Sequence, residues 1–235
     1  MDNAGGLPIV LIPGLGCTAR LYTEQVPALW TQGPVTIADH RRADNMDAIA
    51  RQILDVAPPR FALAGLSMGG YIALAIMRIA PERVMRLALL DTGSRADTPE
   101  AAERRKGSIA LAKAGKLDEI NAMLWPVLVH KNRQGDAALR KIVGDMALSA
   151  GADALVRQQT AIMTRPDSRP GLPAIKCPTL VLVGDGDQLT PPALAEEMAG
   201  LIPGSTLVVV PDCGHLSTLE RPEAVTKALL DWLKP

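Results

Sequence analysis

Residues 61–70 read FALAGLSMGG, an apolar run that leads into a serine flanked by glycines. A long helical pattern follows at once, over residues 68–80. A buried strand, a G-x-S-x-G turn and a helix, in this order, are typical of a sharp turn that exposes a nucleophilic serine at the edge of a sheet. We therefore interpret Ser67 as a candidate nucleophile. The alternative is that Ser67 caps the helix and that Gly65 and Gly69 serve close packing.

Short apolar runs alternate with helical patterns on both sides of this turn. Besides 61–66, the runs that predict strands are 7–12, 35–39, 84–90, 179–183 and 207–210. Four helical patterns lie outside this turn: one at 20–30, one that follows an N-cap at Asn45, one that starts at Pro192 and one that starts at Pro222. Continuous apolar strands separated by helices indicate a parallel sheet covered on both faces. We predict an α/β fold with an open, mostly parallel sheet of about six strands.

Residues 94–170 have a different pattern, with no convincing strand. Helical patterns cover 99–114, 117–130 and 136–165, with breaks at Gly115, at or just beyond Pro126, at Gly135 and around Gly151. We predict that residues 94–170 form a helical insertion between two core segments, 1–93 and 171–235.

The charges are balanced, with 25 Lys and Arg against 25 Asp and Glu. This balance gives no electrostatic footprint for nucleic acid or an anionic membrane, so neither partner is expected. No signal peptide or membrane-spanning stretch is recognised. Cys17, Cys177 and Cys213 are odd in number and widely spaced, which favours free thiols in the cytoplasm over a disulfide framework or a zinc site. The oligomeric state is left open.

A nucleophilic serine needs a base, and the chain has three histidines. His215 follows the last predicted strand, which places it at the same carboxyl edge of the sheet as Ser67. His40 also follows a strand but precedes the serine in the chain. His130 lies in the insertion, where we expect it to be solvated. His215 is therefore the preferred base.

The base in turn needs an acid that orients it. Residues 183–188 read VGDGDQ, directly after the penultimate predicted strand. We prefer Asp187, with Asp185 as the alternative and Asp91, at the end of strand 84–90, as a third candidate. Gly-Asp-Gly-Asp is also good turn chemistry, so a purely structural role is the alternative interpretation.

An acyl-transfer site also needs donors for the oxyanion. Residues 12–16 read IPGLG after the first predicted strand, and these glycines allow backbone N–H groups to face the serine. We expect the amides of Leu15 and Met68 to form this pair, although an ordinary glycine turn is the alternative. All of these groups fall at strand ends along one edge of the sheet, where open α/β folds bind ligands.

The chain resembles the α/β-hydrolase superfamily over essentially its whole length. The motifs that carry the resemblance are IPGLG at 12–16, GLSMGG at 65–70, LLDTG at 89–93, LVGDGDQLTPP at 182–192 and CGHLSTLERPE at 213–223. Similar families include 3-oxoadipate enol-lactonases, carboxylesterases and C–C hydrolases. The resemblance implies that Ser67 is the nucleophile, Asp187 the acid and His215 the base. It also implies that Leu15 and Met68 supply the oxyanion amides and that residues 94–170 form a cap.

Two features depart from the family pattern. Relatives usually have His-Gly before the oxyanion loop, where this chain has Pro13-Gly14. They also usually begin with a two-strand hairpin, so we expect six strands here where relatives have eight.

The resemblance implies cleavage of a small carboxylic ester or lactone through an acyl-enzyme, with no metal or cofactor. The alternatives are a C–C bond hydrolase or lyase with the same triad, and a non-catalytic ligand-binding signalling protein.

The insertion is expected to decide specificity. Six apolar residues of the insertion either line a pocket or pack the insertion on the core: Met123, Leu124, Trp125, Val127, Leu128 and Met163. We name Trp125 and Met123 as candidate pocket residues, together with Arg95 as a contact for a substrate carboxylate. The basic run at 103–106, ERRK, predicts a solvated helix face. A short-chain aliphatic ester or lactone is the expected substrate.

Overall fold

The computed structural model describes residues 6–234. Its strands are β1 (Ile9–Ile12), β2 (Val35–Ile37), β3 (Phe61–Leu66), β4 (Val84–Leu90), β5 (Thr179–Gly184) and β6 (Thr206–Val210). They form one sheet in the order β2-β1-β3-β4-β5-β6, and every neighbouring pair is parallel. The predicted fold class, an open parallel α/β sheet of six strands, is confirmed.

Helices connect the strands and cover both faces of the sheet. They are α1 (Val26–Trp30), α2 (Met46–Val56), α3 (Met68–Ile79), α4 (Pro99–Lys113), α5 (Leu117–Leu128), α6 (Ala137–Ala150), α7 (Ala152–Met163), α8 (Pro192–Leu201), α9 (Ser217–Glu220) and α10 (Pro222–Leu233). The pattern at 20–30 predicted one helix, but the structure divides it into a 3₁₀ turn, Ala19–Tyr22, and the short α1. Pro27 lies in the first turn of α1, where its missing N–H costs no hydrogen bond.

Alternate side chains of each strand enter two separate cores. In β1, Val10 and Ile12 pack with α2 and α3, whereas Ile9 and Leu11 pack with α1 and α10. This alternation follows from the strand period of two. The central strands β1 and β3 are continuously apolar and fully buried because helices cover both faces.

Four helices, α4 to α7, lie between β4 and β5 in the segment predicted as the insertion. Hydrogen bonds tie this segment to the loops at the carboxyl edge of the sheet. The N–H of His215 donates to the carbonyl of Leu128 at 3.0 Å, and the N–H of Gly16 donates to Oε1 of Gln158 at 3.0 Å. The division into core and insertion stays a prediction. Among residues 6–234, no helix is long and apolar enough to cross a membrane.

Candidate active site

Ser67 occupies a strained turn between β3 and α3. Its φ of 55° and ψ of −115° lie where a residue with a side chain is rarely found. A Cβ on Gly65 would lie 2.2 Å from the carbonyl oxygen of Gly69, and one on Gly69 would lie 2.1 Å from that of Ile12. The N–H of Ser67 donates to the carbonyl of Leu90 at 2.9 Å. The turn therefore requires both glycines, because only they permit backbone contact this close.

The Ser67 hydroxyl makes no capping hydrogen bond to α3, so the N-cap interpretation does not describe the structure. Its Oγ lies 2.8 Å from Nε2 of His215, a residue 148 positions away in the chain. Nδ1 of His215 lies 2.8 Å from Oδ2 of Asp187. The hydrogen-bond network assigns the proton to Nδ1, since that nitrogen faces a carboxylate, and leaves Nε2 free to accept from the serine.

Three further hydrogen bonds hold the Asp187 carboxylate. Its Oδ1 accepts from the N–H groups of Leu189 at 2.8 Å and Thr190 at 2.9 Å. Its Oδ2 accepts from the hydroxyl of Thr190 at 2.6 Å. Thr190 was not among the residues predicted from the sequence, although an Asp followed three residues later by Thr is a recognisable side-chain turn. Asp187 is thus fixed in the orientation that meets His215.

The Asp187–His215 pair shifts both pKa values toward an ion pair. Burial raises the pKa of Asp187, but the charge of His215 and hydrogen bonds from His215 and Thr190 outweigh it, so the pKa is below its usual value. Burial lowers the pKa of His215, but the charge of Asp187 and its hydrogen bond outweigh this effect, so the pKa is above its usual value. The pair therefore stabilises the imidazolium that forms when His215 takes a proton.

The two other acid candidates make different contacts. Oδ1 of Asp185 accepts from the N–H of Cys213 at 3.1 Å. Asp91 is fully buried, and its carboxylate accepts from the N–H of Gly184 at 3.0 Å and from the hydroxyl of Ser217. Burial and the nearby charge of Asp187 raise the pKa of Asp91 to about 8. The structure brings Asp187 to His215, and it does not bring Asp185 or Asp91 there.

The two remaining histidines are both buried. Burial lowers the pKa of His40 to about 4, so its ring is neutral at pH 7, and its Nε2 lies 3.0 Å from the carbonyl oxygen of Gly14. The prediction that His130 is solvated is wrong, because this side chain is only 7% exposed. The segment after α5 packs back onto the core, where the N–H of His130 donates to Oε2 of Glu220 at 2.8 Å.

The loop after β1 is held from two sides. The carbonyl of Gly14 faces His40 and also accepts from the N–H of Cys17 at 3.1 Å. Gln158 of α7 accepts from Gly16, whose φ is 66°. His40 and Gln158 therefore support the loop that begins with Pro13-Gly14. The structure places Leu15 of this loop on the cavity described next and Met68 at the start of α3.

A cavity of about 480 Å³ opens in front of Ser67 and His215 and extends beneath the insertion. Its apolar wall includes Leu124, Leu128, Leu155, Ile162, Leu194 and Leu216. Its polar residues include Asp97, Arg105, Asn121, Gln159 and Arg165. Within residues 6–234, no three His, Cys, Asp or Glu side chains are grouped so as to hold a metal ion.

The structure corrects two of the three predicted pocket residues. Trp125 is buried in the core on one face of the sheet, where its Nε1–H donates to the carbonyl of Gln134 at 2.8 Å, and Met123 is 57% exposed. Leu124 and Leu128, four residues apart on α5, share the face that lines the cavity, so Met123 and Trp125 point to either side of it. Arg95 does line the cavity.

The prediction that residues 103–106 form a solvated helix face is wrong for Arg105. This side chain is 21% exposed and pairs with Asp97 at 2.6 Å, inside the cavity. Its neighbour Lys106 is 61% exposed, as the pattern predicted. A run of charges on one helix thus divides between the cavity and solvent, because successive residues lie about 100° apart around the helix axis.

Comparisons with known proteins agree with this architecture. The chain is 31% identical to a Mycobacterium tuberculosis protein named, provisionally, non-heme bromoperoxidase BpoC, over 97% of this chain and 94% of that protein. It is 33% identical to a thermophilic esterase from Thermogutta terrifontis solved with malate bound, with a TM-score of 0.88 over 97% of this chain and 90% of the esterase. An enol-lactonase from Burkholderia xenovorans LB400 is 25% identical, with a TM-score of 0.87 over 99% and 93% of the two chains. A sequence model of the Alpha/beta hydrolase family matches residues 9–228, and the chain belongs to that family.

Proposed function

We propose that the protein is a serine hydrolase that cleaves a small carboxylic ester or lactone through an acyl-enzyme intermediate. The observation that carries the proposal is the hydrogen-bonded row of Ser67, His215 and Asp187. Nε2 of His215 lies 2.8 Å from Ser67 Oγ, and Nδ1 lies 2.8 Å from Asp187 Oδ2. The row opens on a largely apolar cavity that suits a small organic substrate. The similarity to an esterase and an enol-lactonase supports the same chemistry.

In the first half-reaction, His215 Nε2 takes the hydroxyl proton of Ser67 as Oγ attacks the substrate carbonyl. The charge that develops on the carbonyl oxygen is met by the backbone N–H groups of Leu15 and Met68. The tetrahedral intermediate then collapses: its bond to the leaving oxygen breaks, and that oxygen takes the proton from His215. The alcohol is released, or in a lactone the hydroxyl end stays attached, and the acyl group remains on Ser67.

In the second half-reaction, His215 takes a proton from water as the water oxygen attacks the acyl carbonyl. Collapse of this intermediate returns the proton to Ser67 Oγ and releases the carboxylic acid. Asp187 holds the imidazole in the tautomer that presents Nε2 to the serine and stabilises the imidazolium in both halves. Thr190 keeps Asp187 oriented through its hydroxyl and its N–H.

The experiment is a panel of p-nitrophenyl esters and lactones assayed with wild type, Ser67→Ala and Ser94→Ala. Ser94 is a matched control, since it is a buried serine whose hydroxyl has no partner within the described residues. We expect Ser67→Ala to lose about 10⁴-fold or more in kcat/KM while keeping its circular dichroism spectrum, and Ser94→Ala to stay near wild type.

Equal turnover by wild type and Ser67→Ala would contradict the proposal. The same panel separates the other candidate functions. A C–C bond hydrolase or lyase with this triad would turn over simple esters poorly, and a ligand-binding signalling protein would show negligible turnover and large stabilisation by its ligand.

A further inference from the structure

Two arginines share one carboxylate on the wall of the cavity. Asp97 pairs with Nε of Arg105 at 2.6 Å and with Nη1 of Arg165. The exposed fractions of these side chains are 4% for Asp97, 10% for Arg165 and 21% for Arg105. Because both guanidinium groups are permanently charged, this cluster carries a net charge of +1 in a largely buried position.

The remaining charges near the cluster do not balance this excess. At the mouth of the cavity, Arg95 and Arg169 pair with Glu197 and Asp167, so that network is neutral by itself. The cavity lining contains four arginines, Arg95, Arg104, Arg105 and Arg165, but Asp97 is its only carboxylate among the described residues. An uncompensated buried charge is costly, so the cavity favours a ligand that brings a negative charge.

Neutral groups complete the cluster without supplying that charge. The guanidinium carbon of Arg165 lies 4.2 Å from the ring centroid of Tyr71, and Nη1 of Arg105 donates to Oε1 of Gln159 at 2.8 Å. Asn121 lines the same cavity, and its Nδ2 is buried with no acceptor in the described part of the chain. Tyr71 is four residues after Ser67, one turn along α3, so the cluster and the candidate nucleophile face one space.

We propose that Arg105 and Arg165 form an anion subsite in the cavity that binds a carboxylate on the substrate. The substrate class is then a carboxylate-bearing ester or lactone, such as a half-ester of a straight-chain dicarboxylic acid. The inference rests on the proposed ester chemistry at Ser67. The carboxylate completes the charge balance of Arg105, Arg165 and Asp97, and the apolar wall contacts the intervening methylene groups.

The test compares each methyl half-ester with a neutral ester of the same length. Monomethyl succinate, glutarate and adipate are paired with methyl butanoate, pentanoate and hexanoate, and kcat/KM is measured by pH-stat. We expect wild type to prefer at least one half-ester by about tenfold or more, as a charge-assisted hydrogen bond allows. Arg105→Gln should reduce this preference by about tenfold or more, and Arg105→Lys should restore part of it because it keeps the charge.

Lys106→Gln is the matched control. It removes the same charge from the next residue of α4, but Lys106 is exposed and lies outside the cavity lining. We expect it to leave the preference at the wild-type value. If Lys106→Gln and Arg105→Gln reduced the preference for half-esters equally, the subsite would be overturned, since the effect would then come from the overall charge of the protein. Equal turnover of half-esters and neutral esters by wild type would overturn it as well, while leaving the proposed function in place.

A binding measurement separates the two proposals if no ester is turned over. Calorimetric titration of Ser67→Ala with monomethyl glutarate should give a dissociation constant that weakens about tenfold or more when Arg105→Gln is added. Such binding without turnover in wild type would support the subsite and contradict the hydrolase. Binding that is equal with and without Arg105 would overturn the subsite.

Discussion

Nε2 of His40 lies 3.0 Å from the carbonyl oxygen of Gly14, so a buried, neutral imidazole from the end of β2 supports the loop after β1. That loop places Leu15 on the cavity beside Ser67. A histidine 26 residues further along the chain therefore supports the loop that begins at Pro13.

Replacing His40 should affect the rate more than substrate binding. In His40→Ala the carbonyl of Gly14 loses its hydrogen bond to the ring. We expect kcat to fall about 10- to 100-fold, which does not exceed the fall in kcat that follows removal of one oxyanion donor. His40→Gln keeps an N–H donor at about the same distance from the backbone as Nε2 of histidine and should recover part of the rate. Steady-state kinetics on a p-nitrophenyl ester check this, and a rise in KM with unchanged kcat would assign His40 to substrate binding instead.

Asp187→Asn should change both the rate and its pH dependence. Protonated His215 cannot take the serine proton, so activity is present above the pKa of His215 and is lost as the pH falls through it. The Asp187 carboxylate holds this pKa above its usual value, and removing the negative charge should shift the acid limb to lower pH. We also expect the plateau rate to fall by about 10³- to 10⁴-fold. The measurement is the pH profile of kcat/KM.

Asp185→Asn is the control for that profile. Asp185 accepts from Cys213, and an asparagine oxygen can accept the same hydrogen bond. We expect its acid limb and plateau to stay close to wild type. A larger loss in Asp185→Asn than in Asp187→Asn would exchange the roles given to these two residues.

Asp91 should make stability fall as the pH rises. Its folded-state pKa of about 8 lies above the value of about 4 expected in the unfolded chain. Between these values the unfolded state has lost the proton that the folded state keeps, so the free energy of unfolding decreases with increasing pH. Asp91→Asn has no proton to lose. Its oxygen can still accept from the N–H of Gly184, and its new amide group can donate to the Ser217 oxygen. Between pH 5 and pH 8 the free energy of unfolding, measured with urea, should decrease less in the variant than in wild type. Equal decreases in the two proteins would contradict the raised pKa of Asp91.

Two glycine substitutions should have opposite effects on stability. In Gly69→Ala the new Cβ would lie 2.1 Å from the carbonyl oxygen of Ile12, a backbone atom that cannot move alone. We expect a loss of about 2–3 kcal/mol or more, together with loss of activity. Gly107 lies in α4 with nothing within 4 Å of an added Cβ, so Gly107→Ala should gain about 0.5–1 kcal/mol. Urea unfolding of both variants checks this, and equal effects would contradict the close packing of the turn.

Much of the fold and the candidate triad could be predicted because their signals are local. Each strand is a largely apolar run that ends in turn residues, and Ser67, Asp187 and His215 each follow such a run. In a parallel sheet, strand ends meet at one edge, so residues far apart in the chain were expected together. The prediction of one helix at 20–30 was wrong because it rested on apolar spacing alone. Pro27 has no N–H to continue a helix that began before it, so a 3₁₀ turn comes first and α1 starts afresh.

The contacts inside the cavity could not be predicted because they depend on helix phase and tertiary packing. Arg105 and Lys106 are adjacent and both basic, yet one pairs with Asp97 in the cavity and the other faces solvent. Met123 and Leu124 are likewise adjacent and both apolar, and only Leu124 lines the cavity. His40 and Gly14 are 26 residues apart, and no short pattern joins them.

Covalent labelling tests the central claim most directly. A fluorophosphonate probe reacts with an activated serine, and peptide mass spectrometry identifies the residue that carries it. We predict a single adduct on Ser67, absent in Ser67→Ala and formed at least about 10²-fold more slowly in His215→Ala because the base is missing. Labelling of another residue, or an unchanged rate of Ser67 labelling without His215, would contradict the account.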